Sequence, residues 1–136
     1  MTTLQEALAI GPSSSPRDRT VDITTTGAKS GLPRRIETWF YRVDDTVYLS
    51  GRPAPRGWAA NLVANPRLTF HLKHGVVADL PASARRVEDD GERRRILGRI
   101  LDDLALGGRR TSAEEREAWM VGSPLFEVTF DDPQVP

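Results

Sequence analysis

The sequence predicts a single α+β domain whose sheet is mainly antiparallel, either open or closed into a barrel. Three observations carry that expectation. Short β-rich runs arrive in pairs joined by turns, one short helix interrupts the first five of them, and the longer helical stretches gather ahead of a last strand. A doubly wound parallel sheet would need a crossover helix after nearly every strand, whereas hairpins give antiparallel pairing. At 136 residues the chain fits one domain, large enough to bury most of its apolar surface without disulfide staples.

Residues 2–10 predict a short amphipathic helix presenting Leu4, Leu8 and Ile10. The run Gly11-Pro12-Ser13-Ser14-Ser15-Pro16 breaks it and reads as a mobile linker. Residues 1–19 are therefore expected to form a short helix and linker ahead of a domain at 20–136. From Thr20 the period changes to two, with Val21, Ile23 and Thr25 alternating with polar neighbours as in a half-buried strand. A loop at 27–33 leads into Arg35–Val43, rich in β-formers, and Asp44-Asp45 turns that run back into Thr46–Ser50 as a hairpin.

Gly51 to Gly57, with two prolines, cannot continue the strand. A short helix is expected over 57–64, with Trp58, Leu62 and Val63 near one face, and Asn65-Pro66 ends it. Leu68, Phe70 and Leu72 alternate as a fourth strand, and Lys73-His74-Gly75 turns into Val76–Leu80, which Pro81 weakens or bends. Arg85 to Val87 extends the sheet. A helix over 89–105 then places Ile96, Leu97, Ile100, Leu101 and Leu104 at helical spacing, and Gly107-Gly108 stops it. Thr111-Ser112-Ala113-Glu114-Glu115 holds two overlapping capping boxes, so another helix starts there and ends near Gly122. Leu125–Phe130 supplies the last strand.

Composition removes several function classes. Nineteen Lys and Arg balance nineteen Asp and Glu, so the basic excess that phosphate backbones demand of a nucleic-acid binder is absent. There is no cysteine, which excludes thiol nucleophiles, CxxC redox chemistry, zinc-thiolate sites and iron–sulfur clusters. The opening MTTLQEALAIGPSSSPRDR lacks the basic and apolar regions of a secretory signal. No apolar run approaches the roughly 20 residues of a membrane span. A soluble, cytoplasmic protein is expected.

The chemistry points to two loops. Between Thr24 and Arg35, four hydroxyls, two glycines, Lys29 and two arginines fall within a dozen residues. A phosphate is held by several N–H donors together with a cation, and an arginine can grip it bidentately. The spacing is not GxxxxGK[ST], so this is no triphosphate P-loop, and a solvated hairpin loop remains an alternative. In the second stretch, Ser50-Gly51-Arg52 through Arg56-Gly57-Trp58, Gly51 lets a flat ligand approach backbone at a strand end. Arg52, Arg56 and a helix N-terminus add positive charge there. Trp58 and Asn61 sit three apart on the short helix, as pocket residues or as a core anchor and a cap. His71 and His74 lack a third ligand at metal spacing, so no metal site is expected and a surface hairpin explains them. No GxSxG is present, and no local pattern assembles Ser-His-Asp.

The runs T-T-G-A-K-S-G-L-P-R from Thr25, Y-L-S-G-R from Tyr48 and W-A-A-N-L-V-A-N-P from Trp58 resemble the deazaflavin-dependent nitroreductase family. That family belongs to the split β-barrel superfamily that also holds the pyridoxamine-phosphate oxidases. The likeness covers residues 20–80 well and the rest in element order. It implies a six-stranded split barrel with a short inserted helix and C-terminal helices, binding 8-hydroxy-5-deazaflavin (coenzyme F-420) or, in some relatives, FMN. By motif position Lys29, Ser30 and Arg34 would hold the cofactor's phosphate or acidic tail. Ser50, Gly51 and Arg52 would line its ring and linker, and Trp58, Asn61 and Leu62 would close the pocket. The cofactor would supply the hydride, so no catalytic side chain is assigned. Relatives often line the substrate pocket with C-terminal tyrosines. Here the tyrosines are Tyr41 and Tyr48, and that region offers Trp119.

Three functions remain open at this stage. They are a deazaflavin-dependent reductase of a quinone, nitroaromatic or enone; an FMN-dependent reductase or oxidase on the same barrel; and a non-catalytic cofactor or ligand carrier. Split barrels often pair, so a homodimer is among the expectations.

Overall fold

The computed structural model describes residues 3–135. Along them run α1 (Leu4–Leu8), α2 (Pro16–Arg19), β1 (Thr20–Thr26), β2 (Pro33–Val43), β3 (Thr46–Ser50), α3 (Gly57–Ala64), β4 (Arg67–Leu72), β5 (Ala78–Arg86), α4 (Asp90–Leu106), α5 (Ala113–Gly122) and β6 (Leu125–Phe130). The strands close antiparallel in the order β1-β2-β3-β6-β5-β4, and β4 returns to β1 with Ile23 opposite Phe70. The expected α+β barrel is the fold.

Period two decides which side chains enter the barrel. On β1, Val21, Ile23 and Thr25 are buried while Asp22 and Thr24 stay half-exposed. Phe70 meets Phe40 and Phe130 edge-on inside, each with ring centroids 5.3 Å apart, the arrangement that the ring quadrupoles favour. A second core lies outside the barrel, where α4 and α5 pack Ile96, Leu97, Leu101 and Trp119 against Tyr41, Val43 and Tyr48 of the β2–β3 hairpin. That hairpin is covered on both faces, which is why 39–43 and 47–49 read as nearly unbroken apolar runs. Its turn places Asp44 at φ 48° and Asp45 at φ 65°. Two left-handed residues match the twist of the flanking strands.

Four local expectations are corrected. Helix α1 is shorter than 2–10, and residue 2 lies outside the described residues. Helix α2 is an addition: Ser15 and Asp18 form a reciprocal capping box with Pro16 in the first turn. On α3, Leu62 is buried but Val63 is 56% exposed, because five residues beyond Trp58 the helix has turned about 140° past it. Strand β5 does not stop near Leu80 but runs through Pro81 to Arg86, while Val76 and Val77 belong to the preceding turn. The Pro81 carbonyl accepts from Asp131 N at 3.0 Å, so its missing N–H faces the same side, where pairing with β6 begins only at Ala82. A proline at the end of a ladder forfeits little.

Candidate functional site

The loop between β1 and β2 is folded by its own backbone. Gly27 N donates to Leu32 O at 2.8 Å and Gly31 N to Gly27 O at 2.9 Å, and Gly31 takes φ 69°, a conformation glycine adopts without penalty. Leu32 N donates to Ser30 Oγ at 3.1 Å, and among the described residues the Ser30 hydroxyl donates to no acceptor. Asn61 of α3 pins this loop from above. Its Oδ1 accepts from Ala28 N at 2.8 Å and its Nδ2 donates to the buried Thr25 Oγ1 at 3.0 Å. Trp58 on the same helix rests against Phe126, 5.7 Å between centroids. Helix α3 begins without a side-chain cap, so its first amides are open to a ligand.

These pieces enclose a groove of about 420 Å³ lined by Lys29, Ser30, Arg34, Ile36, Trp58 and Asn61, among others. Lys29 and Arg34 are exposed, and among the described residues neither pairs with a carboxylate, in contrast to Arg35 with Asp22 or Arg67 with Asp131. Five of the nine residues singled out from sequence thus meet in one groove. Ser50, Gly51 and Arg52 line an adjoining cavity of about 730 Å³ between the outer face of β2–β3 and the α4–α5 pair. The two are neighbours along the chain, since Ile36 and Gly57 line the groove while the next residue on β2, Glu37, and the residue before α3, Arg56, line the second cavity. Ser50 is buried, and its hydroxyl donates to Pro124 O at 2.6 Å, which fastens the end of β3. A side chain on Gly51 would touch the Arg56 guanidinium. Leu62 lies in the barrel core, 2% exposed, and lines neither cavity.

The second cavity also brings together residues that sequence reasoning did not assemble: Trp39 and Tyr41 of β2, Arg109 and Arg110 of the α4–α5 loop, and Trp119 of α5. Arg109 lies over the Trp39 ring, 4.9 Å from its centroid. Burial pushes the Tyr41 hydroxyl up to about 12, while Arg19, Arg109, Arg56 and Arg52 pull the other way.

A family model for F420H(2)-dependent quinone reductases matches residues 11–118. The chain belongs to that family. As a member of the F420H(2)-dependent quinone reductases it is an oxidoreductase, in accord with the resemblance read from its motifs. No curated protein matches the chain. Among solved structures, a conserved hypothetical protein from Mycobacterium tuberculosis is 21% identical with a TM-score of 0.62, covering 88% of this chain and 75% of that one. An F420-H2 dependent reductase (FDR-A) is 23% identical with a TM-score of 0.56, covering 82% and 94%. A domain-swapped dimer is also 23% identical, with a TM-score of 0.58 and coverage of 82% and 80%. At these identities the likeness is one of fold.

Other clusters of this quinone reductase family member offer less to a cofactor. Across β1, β4 and β5, Thr24 Oγ1 meets His71 Nε2 at 2.6 Å and His71 Nδ1 meets Asp79 at 2.6 Å. The sequence reading of His71 in a surface hairpin is corrected, since it is buried within β4. The triad lies on the outer barrel wall and lines none of the cavities described here. A further cavity of about 760 Å³ lies between α3 and the start of β6. Its Arg93 is committed to the carbonyls of Met120, Val87 and Ser123. Among the described residues no helix is long and apolar enough to cross a membrane.

Proposed function

We propose that the chain oxidises reduced deazaflavin (coenzyme F-420), held in the groove between the β1–β2 loop and α3, and passes the hydride to an organic acceptor such as a quinone, nitroaromatic or enone. The observation that carries this reading is the pairing of two uncommitted cations, Lys29 and Arg34, with the uncapped first amides of α3 in one groove. A phosphate or carboxylate tail needs that donor set, cations plus N–H groups without competing carboxylates. The Ser30 hydroxyl adds a donor, and Trp58 offers an aromatic wall against which a flat ring can lie.

When bound, the reduced cofactor supplies a hydride, which with one proton from solvent converts a quinone to its quinol. The protein's part is to hold and orient. Asn61 keeps the loop in its binding shape, Ser50 fixes the end of β3, and Gly51 leaves room beside Arg56 where the two cavities adjoin. Leu62 supports α3 from the core. A homodimer is compatible with the domain-swapped assembly of a similar structure.

Absorbance titration with the deazaflavin and, separately, FMN tests the reading. Deazaflavin is expected to bind more tightly, and Lys29→Ala with Arg34→Ala to weaken it at least tenfold, since each charge-assisted bond contributes about 1.5–3 kcal/mol. Preferential retention of FMN would replace the cofactor, and unchanged affinity in the double variant would remove the phosphate assignment.

A further inference from the structure

The second cavity carries an excess of positive charge that the fold leaves unmatched. Arg52, Arg56, Arg109 and Arg110 line it, and among the described residues none has a carboxylate within 4.0 Å, in contrast to Arg94, paired with Glu117, and Arg85, paired with Glu92. Two carboxylates share the wall, and both are engaged: Glu37 with Lys73, and Glu115 in the α5 capping box with Ser112. Among the described residues the buried Arg56 Nε has no hydrogen-bond partner. Three aromatic side chains, Trp39, Tyr41 and Trp119, complete the lining.

Like charges held together in a concave wall repel one another, and the field they focus is relieved by an anion. Guanidinium groups suit a planar or tetrahedral oxyanion because their N–H groups bond it in parallel pairs. The aromatic walls favour an apolar ring beside that anion. We infer that this cavity receives the hydride acceptor and selects acceptors with an anionic substituent, such as a carboxylate or sulfonate, on an aromatic or quinone ring. The assignment rests on the reading that the deazaflavin tail occupies the neighbouring groove. With that tail on Lys29 and Arg34, the cations of the second cavity are left for a different ligand, and the adjoining walls bring its ring beside the cofactor's groove. A hydride and one proton convert such a quinone to its quinol, the sulfonate or carboxylate being unchanged.

The full-length protein is assayed with reduced deazaflavin and two acceptors, 1,4-naphthoquinone-2-sulfonate and neutral 2-methyl-1,4-naphthoquinone, in wild type, R109A/R110A and R109K/R110K. Comparing each acceptor with itself across variants removes their difference in potential. For R109A/R110A the loss of kcat/KM with the sulfonate is expected to exceed that with the neutral quinone at least tenfold, mainly in KM, and the lysine pair is expected to restore most of it. Equal losses on both acceptors, or none, would overturn the inference. So would a tenfold loss of deazaflavin affinity in R109A/R110A, which would assign these arginines to the cofactor's tail. Quenching of tryptophan fluorescence by the sulfonate, without cofactor, reads the site independently of turnover, because Trp39 and Trp119 line it. A chain that binds the sulfonate through these arginines yet never binds deazaflavin keeps the anion site and loses the proposed function.

Discussion

At the scale of single residues, Asn61 joins the fold to the groove. Its two hydrogen bonds reach 33 and 36 residues back along the chain, to Ala28 N and Thr25 Oγ1. Thr25 is 2% exposed, so removing its donor leaves a buried hydroxyl short of a partner, a loss of about 1–3 kcal/mol. Asn61→Ala is expected to lower the melting temperature by a few degrees and to weaken deazaflavin binding about tenfold, because the loop bearing Lys29 and Ser30 is no longer held in shape. Calorimetry and absorbance titration read the two effects, and a variant that melts early but binds normally would remove the loop-holding role. The residue type was legible, three positions after Trp58 on an expected helix. Its partners were not, since nothing local joins position 61 to positions 25 and 28. Arg109 shows the same gap: the glycine stop before it was plain, but its place over Trp39 depends on where α4 ends in space.

At the scale of elements, what short-range chemistry dictates was legible, and what neighbouring strands dictate was not. The Asp44-Asp45 hairpin, the α3 stop at Asn65-Pro66 and strand β6 are set by residues in sequence contact. The course of β5 is not, because Pro81 is tolerated only where β6 has ceased to pair. The α5 start lies between these cases. The sequence offers caps at Thr111 and Ser112, and the structure uses Ser112, whose Oγ accepts from Glu115 N at 3.1 Å while its own N–H donates to the Glu115 carboxylate. Thr111 makes no cap and lines the second cavity. Ser112→Ala is therefore expected to cost about 1 kcal/mol of folding free energy, and Thr111→Ala under about 0.5 kcal/mol. Urea midpoints of the two variants compare them directly, and a larger loss at Thr111 would reassign the cap.

At the scale of the whole molecule, the balance of charge was legible but its pairing was not. Sequence marked two cationic loops as candidate sites, and the closed barrel sets them on two neighbouring cavities rather than in one pocket. The remaining charges tie distant elements together: Arg67 to Asp131, Arg94 to Glu117, Arg85 to Glu92 and Glu127, and Lys73 to Asp22. Hydrogen bonds from these cations hold the carboxyls of Asp131, Glu117 and Glu92 below their usual range. Burial pushes Asp22 up, but Lys73 and Arg35 outweigh it and bring it below as well. A carboxyl that ionises more easily folded than unfolded adds stability above its ordinary value, about pH 4, and that stability is lost as the pH falls through the lower folded value. The same protonation leaves nineteen Lys and Arg without opposing charge, so repulsion acts in the same direction. The urea midpoint is therefore expected to hold nearly level from pH 7 to about pH 5 and to fall steeply below about pH 4, with added salt restoring part of the loss. Replacing one pair, Arg94→Gln with Glu117→Gln, should flatten the acid limb while changing the neutral midpoint little, because exposed pairs contribute little there. A midpoint that stays level down to pH 3 would show that these bonds are too solvated to couple protonation to folding.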